Sequence, residues 1–319
     1  MILQIFILIV GFVILIKGAD IFVDGASSTA SNFKVPKILI GLTIVAFGTS
    51  APEFAVSVKS IISNNHDIVL GNVIGSNILN ILLILGISSL FHSLGVKRNT
   101  VKKELPFTLL LTTLFIVLLS DNLFDSYASN AFTRSDGIIL VLVFLVFIYY
   151  LISLALHRND KKDEVEIKKM PLGKSLLYTV LGILMIVFGS EFVVNSASTI
   201  AKNLGVSAKM ISLTIIALGT SLPELVTSIT ATRKGEHDLA IGNVVGSNIF
   251  NLGIVIGIPV AIFGGTNQIN FNNIDLAVML LSAILLFVFS INDRKITRRE
   301  GFLFILIFII YYGYVIVNG

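Results

Sequence analysis

The chain has 319 residues, 55% of them hydrophobic, and its 13% of charged residues is about half the roughly 25% usual in a soluble domain. So few charges cannot cover a soluble surface of this size, which excludes a cytosolic enzyme or a disordered chain and points to a polytopic membrane protein. The formal net charge is +4 but the charges lie in short gaps between apolar runs, which argues against nucleic acid, and the absence of cysteine excludes disulfides and thiolate chemistry.

A bilayer core about 30 Å thick needs ~20 apolar residues per helix. Runs of that length occur at 2–23, 37–61, 68–91, 105–120, 136–157, 174–195, 209–232, 238–263, 273–291 and 300–317. The first run lacks a basic start and carries Asp20 and Asp24 at its end, so it does not read as a cleaved signal peptide. Pro106 and Pro171 sit near helix starts, where a missing N–H costs little. The longest polar gap, 158–173, divides ten runs into five and five. The expected fold is an all-α polytopic membrane protein of ten transmembrane helices, with halves at 1–157 and 174–319. The gaps after the odd-numbered runs hold 18 Lys and Arg against 4 after the even-numbered ones. The positive-inside rule then places the 158–173 linker in the cytoplasm of a cell-membrane protein and both termini outside.

The two halves repeat. Residues 41–80 align without a gap to 212–251, with 20 of 40 positions identical. The match extends weakly back, pairing Gly18 with Gly189 and Asp20 with Glu191. Five helices per half is an odd number of crossings, so the second copy enters the membrane inverted, as in secondary transporters with midplane sites.

Within run two, Gly48-Thr49-Ser50-Ala51-Pro52-Glu53 puts Gly and Pro four residues apart, and Gly219-Thr220-Ser221-Leu222-Pro223-Glu224 does the same in run seven. Proline removes a donor and clashes with the carbonyl four residues earlier. Backbone oxygens near Ala46, Thr49, Ala217 and Thr220 are therefore expected to be free. A Gly-Pro kink alone also fits a purely structural bend; what distinguishes these is an adjacent acid in both copies. A carboxylate at bilayer depth costs on the order of 2.5–3.5 kcal/mol even on lenient scales and usually marks function. Glu53 and Glu224 have no Lys or Arg at matching depth. Facing each other, they would repel unless a cation lay between them. All-oxygen ligands suit hard cations such as Ca²⁺ and Na⁺.

Runs three and eight open with Gly71-Asn72-Val73-Ile74-Gly75-Ser76-Asn77-Ile78-Leu79-Asn80 and Gly242-Asn243-Val244-Val245-Gly246-Ser247-Asn248-Ile249-Phe250-Asn251. Gly71 and Gly75, like Gly242 and Gly246, form GxxxG, which permits close packing. Ser76 and Asn80, and Ser247 and Asn251, share one helix face and can aim neutral oxygens at the carboxylates, or merely bond between helices. Asn77 and Asn248 lie off that face and read as packing or capping residues.

These paired segments resemble the α-repeats of the Ca²⁺/cation antiporter superfamily, most closely those of prokaryotic Na⁺/Ca²⁺ exchangers, and the resemblance covers the whole chain. It implies a Ca²⁺ site of Glu53 and Glu224 with backbone oxygens of Thr49 and Thr220. It implies Na⁺ sites from the same glutamates with Ala46, Thr49, Ser50, Ser76 and Asn80, and with Ala217, Thr220, Ser221, Ser247 and Asn251. It further implies that helices 1 and 6 slide as a gate. One departure stands out: some relatives, including K⁺-dependent ones, carry Asp where this chain has Asn80 or Asn251. Two central carboxylates rather than three imply weaker cation affinity and K⁺ independence. The implied activity is Na⁺/Ca²⁺ antiport, with Ca²⁺ and Na⁺ as transported ions, the lipid bilayer as surroundings, no cofactor, no nucleic acid and no obligate protein partner. H⁺/Ca²⁺ exchange through the same glutamates is the alternative.

Other classes fit less well. An open channel sits poorly with a paired-acid centre between inverted copies. An intramembrane enzyme would need a base, but all four His lie in gaps or at ends, and there is no H-E-x-x-H motif. Asp20 and Glu191 read as interfacial ends. His66-Asp67 and His237-Asp238 read as helix starts, and Lys97, Arg98, Lys102, Lys103, Arg294, Lys295, Arg298 and Arg299 as topology signals.

Overall fold

A computed structural model describes residues 1–63, 65–124, 130–156, 170–206, 211, 214–215, 217–265 and 272–318. Residues 158–169 of the predicted linker, Lys209, and most of 207–216 at the start of run seven lie outside the described residues. The first half comprises α1 (Ile2–Asn32), α2 (Lys37–Thr49), α3 (Ala51–Ile62), α4 (His66–Phe91), α5 (Leu105–Leu119) and α6 (Arg134–Leu156). The second comprises α7 (Leu172–Asn203), α8 (Ala217–Thr220), α9 (Leu222–Arg233), α10 (His237–Phe263), α11 (Asn273–Ile291) and α12 (Arg298–Asn318). Among the described residues, seven helices are long and apolar enough to cross a membrane, or eight if α2 and α3, bent by 47°, form one span. The expected run 105–120 is the 15-residue α5, preceded by a π-helical turn at Thr100–Glu104.

Burial separates two kinds of helix. The most apolar windows of α4 and α10 are 72% and 78% buried, against 22% for α1 and 17% for α12. Since lipid is as apolar as leucine, helices associate here through close packing rather than hydrophobicity. The long pair α1 and α7 shows how. Gly11, Gly18 and Gly25 recur every seven residues and face α7, while Gly182 and Gly189 face α1. A Cβ on Gly18 would lie 2.6 Å from Met185 Cβ, and one on Gly182 would lie 2.5 Å from Phe22 Cβ. At 31 and 32 residues these helices outrun the predicted apolar runs. At 1.5 Å per residue each is about 47 Å long, well beyond the hydrocarbon core.

The described parts of the five gaps after odd-numbered runs form one connected set of contacts. Asn32 Nδ2 donates to the Met170 carbonyl at 2.9 Å and to Ser175 Oγ at 3.1 Å. Lys37 pairs with Glu236 at 2.6 Å, and Lys97 with Asp238 at 2.8 Å. A two-residue antiparallel ladder, a departure from all-α structure, joins β1 (Leu94–Gly95) to β2 (Lys295–Ile296). Lys97 is thus an ion-pair partner as well as a topology signal. Lys234 grips α1 at Asp24 (2.8 Å) and Asp20 (3.5 Å), both half-exposed, and Glu191 is exposed; Asp20 and Glu191, expected at helix ends, lie inside α1 and α7, which continue to Asn32 and Asn203. His66 and His237 begin their helices as expected.

Matched positions make matched contacts. Glu104 and Asp275 are 171 residues apart. Tyr150 OH donates to the Glu104 carboxylate, tying α5's entry to α6, and Tyr311 OH donates to Asp275 at 2.8 Å, tying α11 to α12. The caps before α6 and α12 share Thr-Arg-x-acid-Gly. Thr133 N and Oγ1 donate to Asp136 at 2.6 and 2.7 Å, and Thr297 N and Oγ1 to Glu300 at 2.6 and 2.8 Å, satisfying otherwise orphaned donors. A Cβ on the following Gly137 would lie 2.9 Å from the Gly257 carbonyl, and one on Gly301 2.8 Å from the Gly86 carbonyl, the two acceptors again 171 apart.

Glu104 is 1% exposed and its other oxygen has no hydrogen-bond partner among the described residues. Tyr150→Phe removes its one bonded donor. We expect a loss of about 1–3 kcal/mol, the cost of leaving a buried acceptor unsatisfied, read as a lower melting temperature of the solubilised protein. Unchanged melting would show that the pair contributes nothing.

Candidate functional site

The site is built where the helices break. Pro52 and Pro223 occupy the second position of α3 and α9, where a missing N–H is tolerated. The chain turns at Ser50 (φ −83°, ψ 6°) and Ser221 (φ −94°, ψ 9°), outside helical geometry. Glu53 and Glu224 therefore fall in the first turn of their helices, where the positive end of the helix dipole favours a carboxylate. Each is 1% exposed.

The two copies hold each other's acids. Ser50 Oγ donates to Glu224 Oε1 at 3.0 Å, and Ser221 Oγ to Glu53 Oε1 at 3.3 Å. Ser247 Oγ adds a 3.4 Å bond to Glu224, and Ser76 Oγ lies 3.3 Å from Ser221 Oγ. Thr49, Ser76, Ser247, Asn80 and Asn251 are all buried around them. Of the two shared faces, Ser247 bonds a carboxylate directly, Ser76 reaches one through Ser221 Oγ, and the NH₂ groups of Asn80 and Asn251 bond Asn248 and Asn77. π-helical turns begin at Asn80 and at Asn251, a local rewinding often found at functional sites. Ala217 opens α8 and Thr220 closes it, half-buried.

One expectation needs correcting. The Ala46 carbonyl is not free: it accepts from Ser50 N at 3.0 Å and from Thr49 Oγ1 at 3.3 Å. The helix carries its own hydrogen bonding up to Ser50, so the proline's effect falls later than the backbone arithmetic suggests.

One matched pair, Asn72 and Asn243, has a role the sequence pattern does not reveal. Asn72 Nδ2 donates to the Glu53 carbonyl (3.3 Å) and Ser57 Oγ (3.4 Å), and Asn243 Nδ2 to the Glu224 carbonyl (3.4 Å) and Ser228 Oγ (2.9 Å). Asn243 Oδ1 also accepts from Thr49 Oγ1 at 3.0 Å. Their recurrence in both copies was the available signal. Asn77 and Asn248 are not caps. They bridge the two copies, bonded to Asn251 and Asn80.

Four buried acceptor oxygens have no hydrogen-bond partner among the described residues of this centre: Glu53 Oε2, Glu224 Oε2, Asn80 Oδ1 and Asn251 Oδ1. Buried acceptors normally find partners, and each one left alone is costly. Two acids and two amides of this kind match the ligands hard cations take. No group of three or more His, Cys, Asp or Glu side chains able to hold a metal occurs among the described residues. The centre is thus a two-carboxylate one.

A family model described as sodium/calcium exchanger protein matches residues 3–153 and 174–317. The chain is 36% identical over 293 residues to the inner membrane protein YrbG of Escherichia coli (strain K12), covering 89% of this chain and 88% of that protein. It is 30% identical over 334 residues to the sodium/calcium exchanger MaX1 of Methanosarcina acetivorans, covering 95% of each. A solved structure of the sodium-calcium exchanger NCX_Mj, soaked with Na⁺ and Sr²⁺, matches with a TM-score of 0.84 at 30% identity and covers 98% of both chains.

Proposed function

The chain belongs to the sodium/calcium exchanger protein family, and from that premise we propose that it is a Na⁺/Ca²⁺ antiporter in which Glu53 and Glu224 bind the two ions competitively. The observation that carries the reading is the set of four unpartnered, buried oxygens drawn equally from both copies. Ca²⁺ takes six to eight oxygens. The two carboxylates, the amide oxygens of Asn80 and Asn251, and backbone oxygens of Thr49 and Thr220 supply a set of that size. The serines at 50, 76, 221 and 247 complete the Na⁺ sites, together with Ala217.

Competition follows from charge. One Ca²⁺ neutralises both carboxylates, and more than one Na⁺ is needed to do the same. Emptied, the centre holds two negative charges in a low-dielectric interior, which costs several kcal/mol per ion. The site therefore does not cross the barrier empty, and release of one ion species is tied to entry of the other. The ten-helix inverted arrangement is part of this reading. Its support is the reciprocal bonding at 171-residue spacing and the contacts among the described parts of the gaps after odd-numbered runs. With those gaps in the cytoplasm, both termini lie outside. The gate would be α1 and α7, whose glycine-lined contact lets two long helices move as one body.

The test is ⁴⁵Ca²⁺ uptake into proteoliposomes under an imposed Na⁺ gradient with pH clamped. We expect uptake that scales with the gradient. Uptake driven only by a pH gradient would replace Na⁺ with H⁺ as the coupling ion. With two central carboxylates rather than three, adding K⁺ leaves the flux unchanged, and K⁺ stimulation would refute that part.

A further inference from the structure

Asn77 and Asn248 lie off the face that lines the centre, yet their hydrogen bonds determine what that face presents. Asn248 Nδ2 donates to the backbone carbonyl of Asn77 at 3.5 Å. A carbonyl can only accept, so this bond settles which end of the Asn248 amide points where. Its Oδ1 is turned toward Asn80. An amide oxygen also only accepts, so Asn80 must offer its NH₂, and Asn80 Nδ2 lies 3.0 Å from Asn248 Oδ1. Asn80 Oδ1 is thereby turned the other way, buried and without a partner among the described residues. The second copy repeats every step. Asn77 Nδ2 donates to the Asn248 carbonyl at 3.5 Å, Asn251 Nδ2 donates to Asn77 Oδ1 at 3.1 Å, and Asn251 Oδ1 is left buried and unpartnered.

We propose that Asn77 and Asn248 are positioning residues that hold the amides of Asn251 and Asn80 with oxygen rather than NH₂ toward the transported ion. The proposal rests on the ion-exchange reading above. An amide's oxygen and NH₂ are nearly the same size, so packing cannot choose between its two orientations; only the hydrogen-bond network can. A flipped Asn80 would remove one ligand and point two N–H donors at a cation. The backbone carbonyls of Asn77 and Asn248 anchor this relay, because a peptide carbonyl has no alternative role to switch to.

The test compares Asn248→Ala in two backgrounds. An aspartate at position 80 has oxygens on both sides, so its orientation is immaterial. We expect Asn248→Ala to raise the Ca²⁺ KM about tenfold with little change in maximal rate, and to change KM by less than about twofold when Asn80→Asp is also present, the non-additivity expected of residues in one network. Asn77→Ala with and without Asn251→Asp repeats the comparison through the other copy if the first variant folds poorly. Where an Asp variant binds but does not transport, calorimetric Ca²⁺ affinity of the solubilised protein replaces KM. Equal effects in both backgrounds would mean that Asn248 serves packing alone, and no effect in either would equally overturn the proposal. The two readings fail separately. Normal exchange by Glu53→Gln and Glu224→Gln would overturn the ion-exchange reading itself, whereas dead glutamate variants beside an unaffected Asn248→Ala would overturn only the positioning role.

Discussion

Replacing Glu53 or Glu224 with glutamine should abolish Na⁺-driven Ca²⁺ uptake while leaving the protein folded. Glutamine keeps the volume and one acceptor oxygen, so the bonds from Ser221 to Glu53 and from Ser50 to Glu224 can persist. What is lost is charge. Two unit charges 4 Å apart interact by about 4 kcal/mol at an effective dielectric of 20, and a divalent ion doubles this. Since about 1.4 kcal/mol is a tenfold change in affinity, even a fraction of that loss empties the site. Folding should not suffer, because removing one of two buried negative charges relieves repulsion. Transport measured in proteoliposomes should be near background for both variants, with melting temperature equal to or above that of the parent. Near-normal flux in both would remove the central claim. The two acids are not equivalent in their surroundings: Glu224 accepts from Ser50 and Ser247, Glu53 from Ser221.

The second large effect concerns the two GxxxG motifs, which look identical in sequence and should respond oppositely. Gly242 lies against α2: an added Cβ would sit 2.9 Å from Gly41 Cα and 2.9 Å from the Ile38 carbonyl. Gly246 is similar, with a Cβ 2.7 Å from that of Ala46. The obstacles are mostly backbone, which cannot swing aside like a side chain. Gly242→Ala should cost about 1–3 kcal/mol through overpacking, and Gly242→Val more. Because α2 carries Thr49 and leads into Ser50, the same change should also reduce transport. At Gly71 an added Cβ meets no described atom within 4 Å, and the residue is exposed. Gly71→Ala should be neutral, or stabilising by up to about 1 kcal/mol through helix propensity. Thermal unfolding of the purified variants decides between these outcomes. Equal melting of Gly242→Ala and Gly71→Ala would show that the close approach of α2 and α10 is not required.

This contrast shows why some features could be read from the chain and others could not. The membrane class, the paired acids, the serines and the asparagines of the shared helix faces were all legible. Each follows from one-dimensional rules: apolar run length, the cost of a carboxylate at depth, and helical spacing. The spacing of Gly11, Gly18 and Gly25 is visible in the sequence, but only α7 lying against it turns three glycines into an interface. The ends of α1 and α7 were misjudged for a related reason. The last turns of α1 are less apolar, and helix continues there packed against the start of α7, where Gly25 lies on Tyr178 and Thr179.

Other features depended on partners distant in sequence. Nothing in the GTS-x-PE pattern says that Ser50 bonds the acid of the other copy rather than its own. The Ala46 carbonyl, by contrast, is engaged locally, by the N–H of Ser50 four residues on. The roles of Asn72 and Asn243, and the relay through Asn77 and Asn248, need both copies in place, since each amide is oriented by groups more than 160 residues away or by an adjacent helix. By itself the sequence determined which atoms have the chemistry to hold a hard cation, because charge, hydroxyl and amide content travel with residue type. Only the tertiary structure decided which of those atoms are spent on each other and which remain free, because a hydrogen bond depends on a distance and a direction that a single chain segment does not contain.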